Sequence, residues 1–177
     1  MKMGKNEFVI LVDELDNETG IMEKMEVHRK AILHRAISVF IVNTKGEWLL
    51  QRRALNKYHS NGLWTNTCCS HPFPGESNIE AAHRRLREEM GLNAGLEEIF
   101  QFIYREELDN ELTEHELDHI FIGVTDKKPE INTSEVADWK YIHFDELKNE
   151  LEQSPENYTV WFKKIASRVN QHLNYMS

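Results

Sequence analysis

The chain has 177 residues, 40% of them hydrophobic and 29% charged, with a formal net charge of −9. That composition describes one ordinary globular domain with enough apolar content to bury a real core. The negative charge argues against nucleic acid and anionic membrane as partners. The apolar run Phe8–Val12 is too short for a signal peptide or a membrane span, so the expected setting is the cytoplasm.

Phe8–Val12 reads as a first strand, closed by a turn over residues 16–20, and residues 23–31 read as a short helix. The β-branched run at 37–42 predicts a strand, and Asn43-Thr44-Lys45-Gly46 a hairpin turn into a second strand at 48–51. Residues 77–90 carry the strongest helix pattern. Ser77 and Glu80 have capping-box spacing, Ile79, Ala82, Leu86 and Met90 form one apolar stripe, and Gly91 is the stop. Strands follow at 98–104, 116–124 and 139–143, then a short helix at 144–152. Ser154-Pro155 reads as the start of a last helix, with Tyr158, Phe162, Ile165, Val169 and Leu173 as its buried stripe. Strands that meet mostly through turns predict an α+β fold, a mixed β-sheet sandwich flanked by helices, rather than an alternating parallel sheet. No linker or repeat is visible, so one domain over 1–177 is expected, with its core at about 8–165 and a C-terminal helix at about 155–174.

The two cysteines, Cys68 and Cys69, are neighbours. Disulfides prefer a Cα separation of about 4.4–6.8 Å, which adjacent residues do not reach, so at least one free thiol is expected. If residues 67–71 run extended, Thr67, Cys69 and His71 share one face and Cys68 and Ser70 the other. Cys68 then reads as a small core residue and Cys69 as a thiol beside an imidazole. Glu114, Glu116 and Asp118 likewise share one strand face, with Asp118 expected in a salt bridge. His28 and His34 are too far apart to share one helix face, and His83, His143 and His172 read as ordinary residues. Thiol, imidazoles and paired carboxylates together predict a metal-dependent acid/base site. Two cationic clusters, Arg52-Arg53 with Lys57 and Arg84-Arg85 with Arg87, offset the negative field locally. Arg84–Glu88 and Arg85–Glu89 also have the spacing of exposed i,i+4 pairs, worth about 0.2–0.5 kcal/mol each.

Residues 76–92 resemble the Nudix signature, with Glu76, Arg84, Leu86, Glu88, Glu89, Gly91 and Leu92 in place. Ser70 stands where that motif has glycine and Arg85 where it has glutamate, which counts against a diphosphate-cleaving hydrolase. Over roughly residues 8–165 the chain is similar to the type I isopentenyl-diphosphate isomerases. The resemblance rests on Leu33-His34-Arg35-Ala36, Gln51-Arg52-Arg53 with Lys57, the run from Trp64 to Pro72, Gly75-Glu76, Tyr104, Glu114-His115-Glu116 and Trp161-Phe162. Asn61-Gly62 replaces the family's usual Pro-Gly, and Thr159-Val160 precedes Trp161 where proline is usual.

The resemblance implies interconversion of isopentenyl and dimethylallyl diphosphate, with Cys69 and Glu116 as the catalytic pair. It places His28, His34, His71, Glu114 and Glu116 around one divalent metal, and Glu89 beside a second, Mg²⁺-type ion bridging to the diphosphate. Lys24, Arg53, Lys57 and Arg85 match positions that contact the diphosphate. A mixed imidazole and carboxylate set suits Mn²⁺ or Zn²⁺ better than Mg²⁺ alone. The chemistry needs an acid and a base on either side of an unactivated alkene. Glu116 fits the acid and Cys69 the base, its thiol expected to ionise within reach of neutral pH, although the order of the two roles stays open at this point. Trp161 reads equally as a shelter for positive charge or as core packing, and Tyr104 as a partner for Glu116 or an outward-facing strand residue. The expected partner is a small diphosphate, and the expected state a monomer or weak homodimer. The competing readings are a Nudix-type diphosphohydrolase and a binding module without turnover.

Overall fold

A computed structural model describes residues 8–57, 59–108 and 110–176; of the domain expected over 1–177, residues 1–7, 58, 109 and 177 lie outside the described ones. His34–Val42 (β3) is buried at every position and organises the rest. Along one edge it runs parallel to Thr113–Val124 (β8), from His34 opposite Glu116 to Val42 opposite Val124. Its other edge is shared by three antiparallel neighbours. Phe8–Val12 (β1) pairs at His34, Cys68–Ser70 (β6) over Ile37 to Val39, and Trp48–Arg53 (β4) at Ile41 and Val42. Glu18–Glu23 (β2) forms a hairpin with β1, Leu96–Glu107 (β7) flanks β8, and Trp64–Thr65 (β5) and Val136–Ile142 (β9) flank β4. The result is the expected α+β architecture, one mixed sheet with helices on both faces.

Alternation along β3 divides the core. Ile37, Val39 and Ile41 pack with Cys68, Phe121 and the apolar stripe of Asn78–Met90 (α2), while Phe40 and Val42 pack with Trp48, Ile120 and the last helix, Val160–Met176 (α4). Side chains of a strand point to opposite faces, so a nearly unbroken apolar run suits a strand covered on both sides. The capping box on α2 is complete, with both Ser77–Glu80 bonds made, and Gly91 closes the helix at φ 63°. A side chain at Gly91 would meet the Glu130 carbonyl at 2.6 Å, so only glycine fits. That contact docks the 130–135 loop: Met90 and Glu89 carbonyls accept hydrogen bonds from the Glu130 and Asn132 amides.

Lys24–Lys30 (α1) is capped by Glu23, whose carboxylate accepts from the Met25 and Glu26 amides, and Phe144–Gln153 (α3) follows β9. Three expectations are corrected. The turn at 16–20 lies earlier, at 13–17, where Asp13 accepts from the Leu15 and Asn17 amides, and Thr19 and Gly20 belong to β2. Ser154-Pro155 opens only a 3-10 turn, Pro155–Asn157, and Ser154 makes no side-chain cap. Tyr158 then bridges to Trp64 in extended form, the Thr159 amide donates to the Trp64 carbonyl, and α4 begins at Val160. Tyr158 remains buried against Phe162, but from outside the helix. Among the described residues no helix is long and apolar enough to cross a membrane.

Candidate active site

Because β6 and β8 flank β3 on opposite edges, Cys69, opposite Ser38, and Glu116, opposite His34, approach one space from two sides. Both line a cavity of about 60 Å³, together with Tyr104, Trp161 and all four expected cations, Lys24, Arg53, Lys57 and Arg85. Cys68 points the other way and is wholly buried in the core under α2. Two placements differ from simple alternation. Ser70 also lines the cavity, whereas Thr67 does not: its hydroxyl donates to the Leu49 carbonyl at 2.7 Å and accepts from the Ile41 amide at 2.8 Å. Thr67 pins β3 to β4, since a strand end without a paired neighbour leaves its side chain to satisfy backbone groups.

His28, His34, His71 and Glu116 bring ligand atoms within 4.8 Å of one another. The rings of His28 and His34 lie 4.9 Å apart, and those of His34 and His71 5.0 Å. Nδ1 of His28 lies 2.7 Å from the Lys24 carbonyl and Nδ1 of His34 2.8 Å from the Ile32 carbonyl. A carbonyl can only accept, so in each ring Nδ1 carries the proton and the lone pair sits at Nε2, the arrangement of an imidazole metal ligand. His34 Nε2 is buried, has no hydrogen-bond partner among the described residues, and lies 3.5 Å from Glu116 Oε1. Burial and the adjacent His34 push His28 down, and burial pushes His71 down to about 3. Neutral imidazoles beside a carboxylate fit a divalent cation.

Tyr104 donates to Glu116 Oε2 at 2.6 Å and lies 2.9 Å from Glu114 Oε2, so it faces inward and ties the two carboxylates together. Burial and the neighbouring Glu116 raise Glu114; burial also opposes charge on Glu116, yet its carboxyl is held well below the usual range, with His71 Nε2 2.9 Å from Oε1. Glu116 is therefore the more readily ionised of the two. Cys69 departs from expectation. Burial pushes its thiol up to about 12 against the opposing charge of Arg53, with Glu89, Glu114 and Glu116 adding to the rise, so it stays protonated at neutral pH. Asp118 has no salt bridge among the described residues: it accepts from the Ser38 hydroxyl at 2.7 Å beneath the cavity floor, and burial and Glu116 raise its carboxyl.

The cationic side is held differently. Glu135, on the loop docked at Gly91, pairs with Lys57 and lies 3.3 Å from Arg85. Arg85 is also paired with Glu89, and Gln51 donates to Glu89 at 2.6 Å, so Glu89 sits behind Arg85 rather than in the cavity wall. Arg85–Glu88 and Arg84–Glu88 close at 2.8 and 3.3 Å, and Arg84 grips Glu76 at 2.7 Å, away from the cavity. Arg52 and Arg87 are not cavity residues. The Arg53 guanidinium stands 5.3 Å from the Trp161 ring centre, and the Trp161 indole N–H is buried without a partner among the described residues.

Two contributors went unread in the sequence. Glu135 had no motif to mark it. His59, in the loop after β4, has its Nε2 3.6 Å from Glu114 Oε1 and packs edge-on against Trp161. The local Gly62 and the neighbouring Lys57 signalled only a turn beside a cation.

Residues 32–162 match the NUDIX domain family. Among solved structures, the chain is similar to a protein of Deinococcus radiodurans, with a TM-score of 0.77 at 17% identity, covering 92% of this chain and 98% of that one. It is similar as well to the MutT protein of Methanosarcina mazei, with a TM-score of 0.65 at 20% identity, covering 79% and 94%. Fold and domain match together define a protein of the NUDIX class. Sequence relatives are much nearer. The Isopentenyl-diphosphate Delta-isomerase of Pectobacterium atrosepticum is 53% identical over 91% of this chain and 90% of its own length. Isopentenyl-diphosphate Delta-isomerase 2 of Photorhabdus laumondii is 51% identical over 93% of both. The chain belongs to the isopentenyl-diphosphate Delta-isomerases, enzymes within the NUDIX superfamily.

Proposed function

We propose that the protein interconverts isopentenyl and dimethylallyl diphosphate by adding a proton to one end of the alkene unit and removing one from the other, with Cys69 and Glu116 as the proton-handling pair. The observation that carries this reading is their approach from opposite edges of β3 into one cavity that four cations also line. A reversible isomerisation requires that the group donating in one direction accept in the other, so both residues need a proton-bearing and a proton-free form. Tyr104 orients Glu116 through its hydroxyl, and Lys24, Arg53, Lys57 and Arg85 bind and orient the diphosphate.

Proton addition to an unactivated alkene passes through a state like a tertiary carbocation, which water would trap. Trp161 can shelter that charge, but cation–π attraction is worth only about 0.5–2 kcal/mol. Enzymes typically lower barriers by about 8–23 kcal/mol. Most of the effect therefore comes from placement of the acid and base and from a dry, preorganised site.

His28, His34, His71, Glu114 and Glu116 would hold a divalent ion, manganese, zinc or magnesium, and Glu89, once Arg85 turns from it to the phosphates, would share a second, magnesium-type ion with the diphosphate. When bound, the first ion supplies fixed positive charge beside the Glu116 carboxyl and tunes its proton affinity. We place the protein in the cytoplasm, as a monomer or weak homodimer.

Incubation with isopentenyl diphosphate and Mg²⁺ or Mn²⁺ in D₂O, followed by proton NMR, tests the reading. Dimethylallyl product carrying deuterium is the expected result. Release of phosphate would instead make the protein a diphosphohydrolase, and an unchanged substrate would make it a binding module.

A further inference from the structure

His59 and Glu114 form a second donor group with His28: the ligand atoms of these three buried residues also lie within 4.8 Å of one another. This group and the one built on Glu116 have His28 in common. Nδ1 of His28 faces the Lys24 carbonyl, so its ring offers one lone pair, at Nε2. One lone pair serves one ion. Two separate ions would therefore compete for His28; the five other donors do not all lie within 4.8 Å of one another, so a single ion at His28 would draw His59 and Glu114 inward toward the other group. The orientation of His59 agrees: Nδ1 lies 3.2 Å from the Ser60 hydroxyl and Nε2 faces Glu114 Oε1 at 3.6 Å. Donors bound to one ion at about 2.0–2.2 Å sit roughly 3–4 Å apart, the range spanned by His71–Glu116 at 2.9 Å, His34–Glu116 at 3.5 Å and His59–Glu114.

We propose that His59 is a further ligand of the single divalent ion held by His28, His34, His71, Glu114 and Glu116, completing a set of four imidazoles and two carboxylates. This rests on the metal cradle described above and extends it. With six protein donors the ion would keep no position for water and would supply positive charge to the carboxylates rather than bind substrate. Four imidazoles also favour a transition metal over magnesium.

The alternative role for His59 is packing against Trp161, whose ring centre is 6.0 Å away. His59→Phe keeps that packing and removes the nitrogen, which separates the two roles. The probe is Mn²⁺ added to the full chain, read by equilibrium titration and by water-proton relaxation. Wild type is expected to bind one ion with low relaxivity. His59→Phe should bind about tenfold or more weakly with higher relaxivity, because water enters the opened position. His59→Gln, which perturbs packing in another way, should behave alike if His59→Phe fails to fold by circular dichroism. His71→Ala is the reference for loss of the cradle itself. Unchanged affinity and relaxivity in the folded His59 variants, with His71→Ala impaired, would overturn this inference and leave the cradle standing. Two ions per wild-type chain would overturn it as well. No Mn²⁺ uptake by wild type would remove both.

Discussion

The carboxylate wall of the cavity rests on strands, with Tyr104 on β7 and Glu114 and Glu116 on β8, whereas the cationic wall is gathered from the start of α1, the end of β4, the loop after it and the middle of α2. In the first, strand register fixes position: Glu116 faces His34 across β3 and β8, and Tyr104 faces Glu116 across β7 and β8. In the second, ion pairs do the holding, with Glu135 engaging Lys57 and Arg85, and Glu89 engaging Arg85. Register cannot shift without moving a whole strand to its other face, but a partly exposed ion pair can exchange one anion for another at little cost. The cavity, about 60 Å³ as it stands, is far smaller than the roughly 300 Å³ at the low end of ligand pockets. Admission of the proposed diphosphate would then fall to the exchangeable wall, the substrate's phosphate groups replacing Glu135 on Lys57 and Arg85. In the reaction proposed above, the rigid wall would do the chemistry and the exchangeable wall would control entry.

That division is tested most severely at the proton-handling pair. Cys69→Ala and Glu116→Gln should each cut turnover by about 10³-fold or more while leaving the thermal unfolding midpoint close to wild type; a fully active Cys69→Ala protein would remove sulfur from the mechanism. On the cationic side, Lys57→Ala should raise KM for the diphosphate by about tenfold or more, steeply dependent on salt, with kcat changed far less. A fall in kcat alone would erase the distinction between the walls. Tyr104→Phe should lower kcat by about tenfold at constant KM in steady-state assays, since it removes the bond that aims Glu116 without touching the phosphates. The smallest kinetic effect belongs to Cys68→Ala. It leaves kcat and KM unchanged and lowers stability by about 1 kcal/mol in urea titration, and altered kinetics there would mean that β6 does not separate its two thiols.

Legibility followed the range of the forces involved. α2 was readable to the residue because Ser77, Glu80, the apolar stripe and Gly91 are all local signals. β2 was missed because Glu18–Glu23 is exposed along most of its length and carries no alternation to betray a strand. The last helix started late because Ser154-Pro155 satisfies the local pattern of a helix start, while a distant partner, Trp64, draws Tyr158 into a strand-like bridge. The same split runs through the site. Cys69, His71 and the Glu114/Glu116 pair announce themselves by spacing. Glu135 and His59 act across long loops, and nothing adjacent to them in sequence marks their role. The protonation of Cys69 was equally beyond reach, because it depends on burial and on carboxylates from two other elements.

The parallel pairing at the centre of the sheet has a bearing on how the enzyme is made. Ser38 and Asp118, joined by a hydrogen bond beneath the cavity, are 80 positions apart, and contacts of such separation form late because loop closure precedes any gain from them. A nascent chain whose translation has not passed β8 holds His28, His34 and His71 without the carboxylates that complete their cradle. We expect a ribosome-stalled chain ending before Thr113 to take up no Mn²⁺, so the proposed metal and its chemistry would come to the newborn polypeptide only in the final third of synthesis.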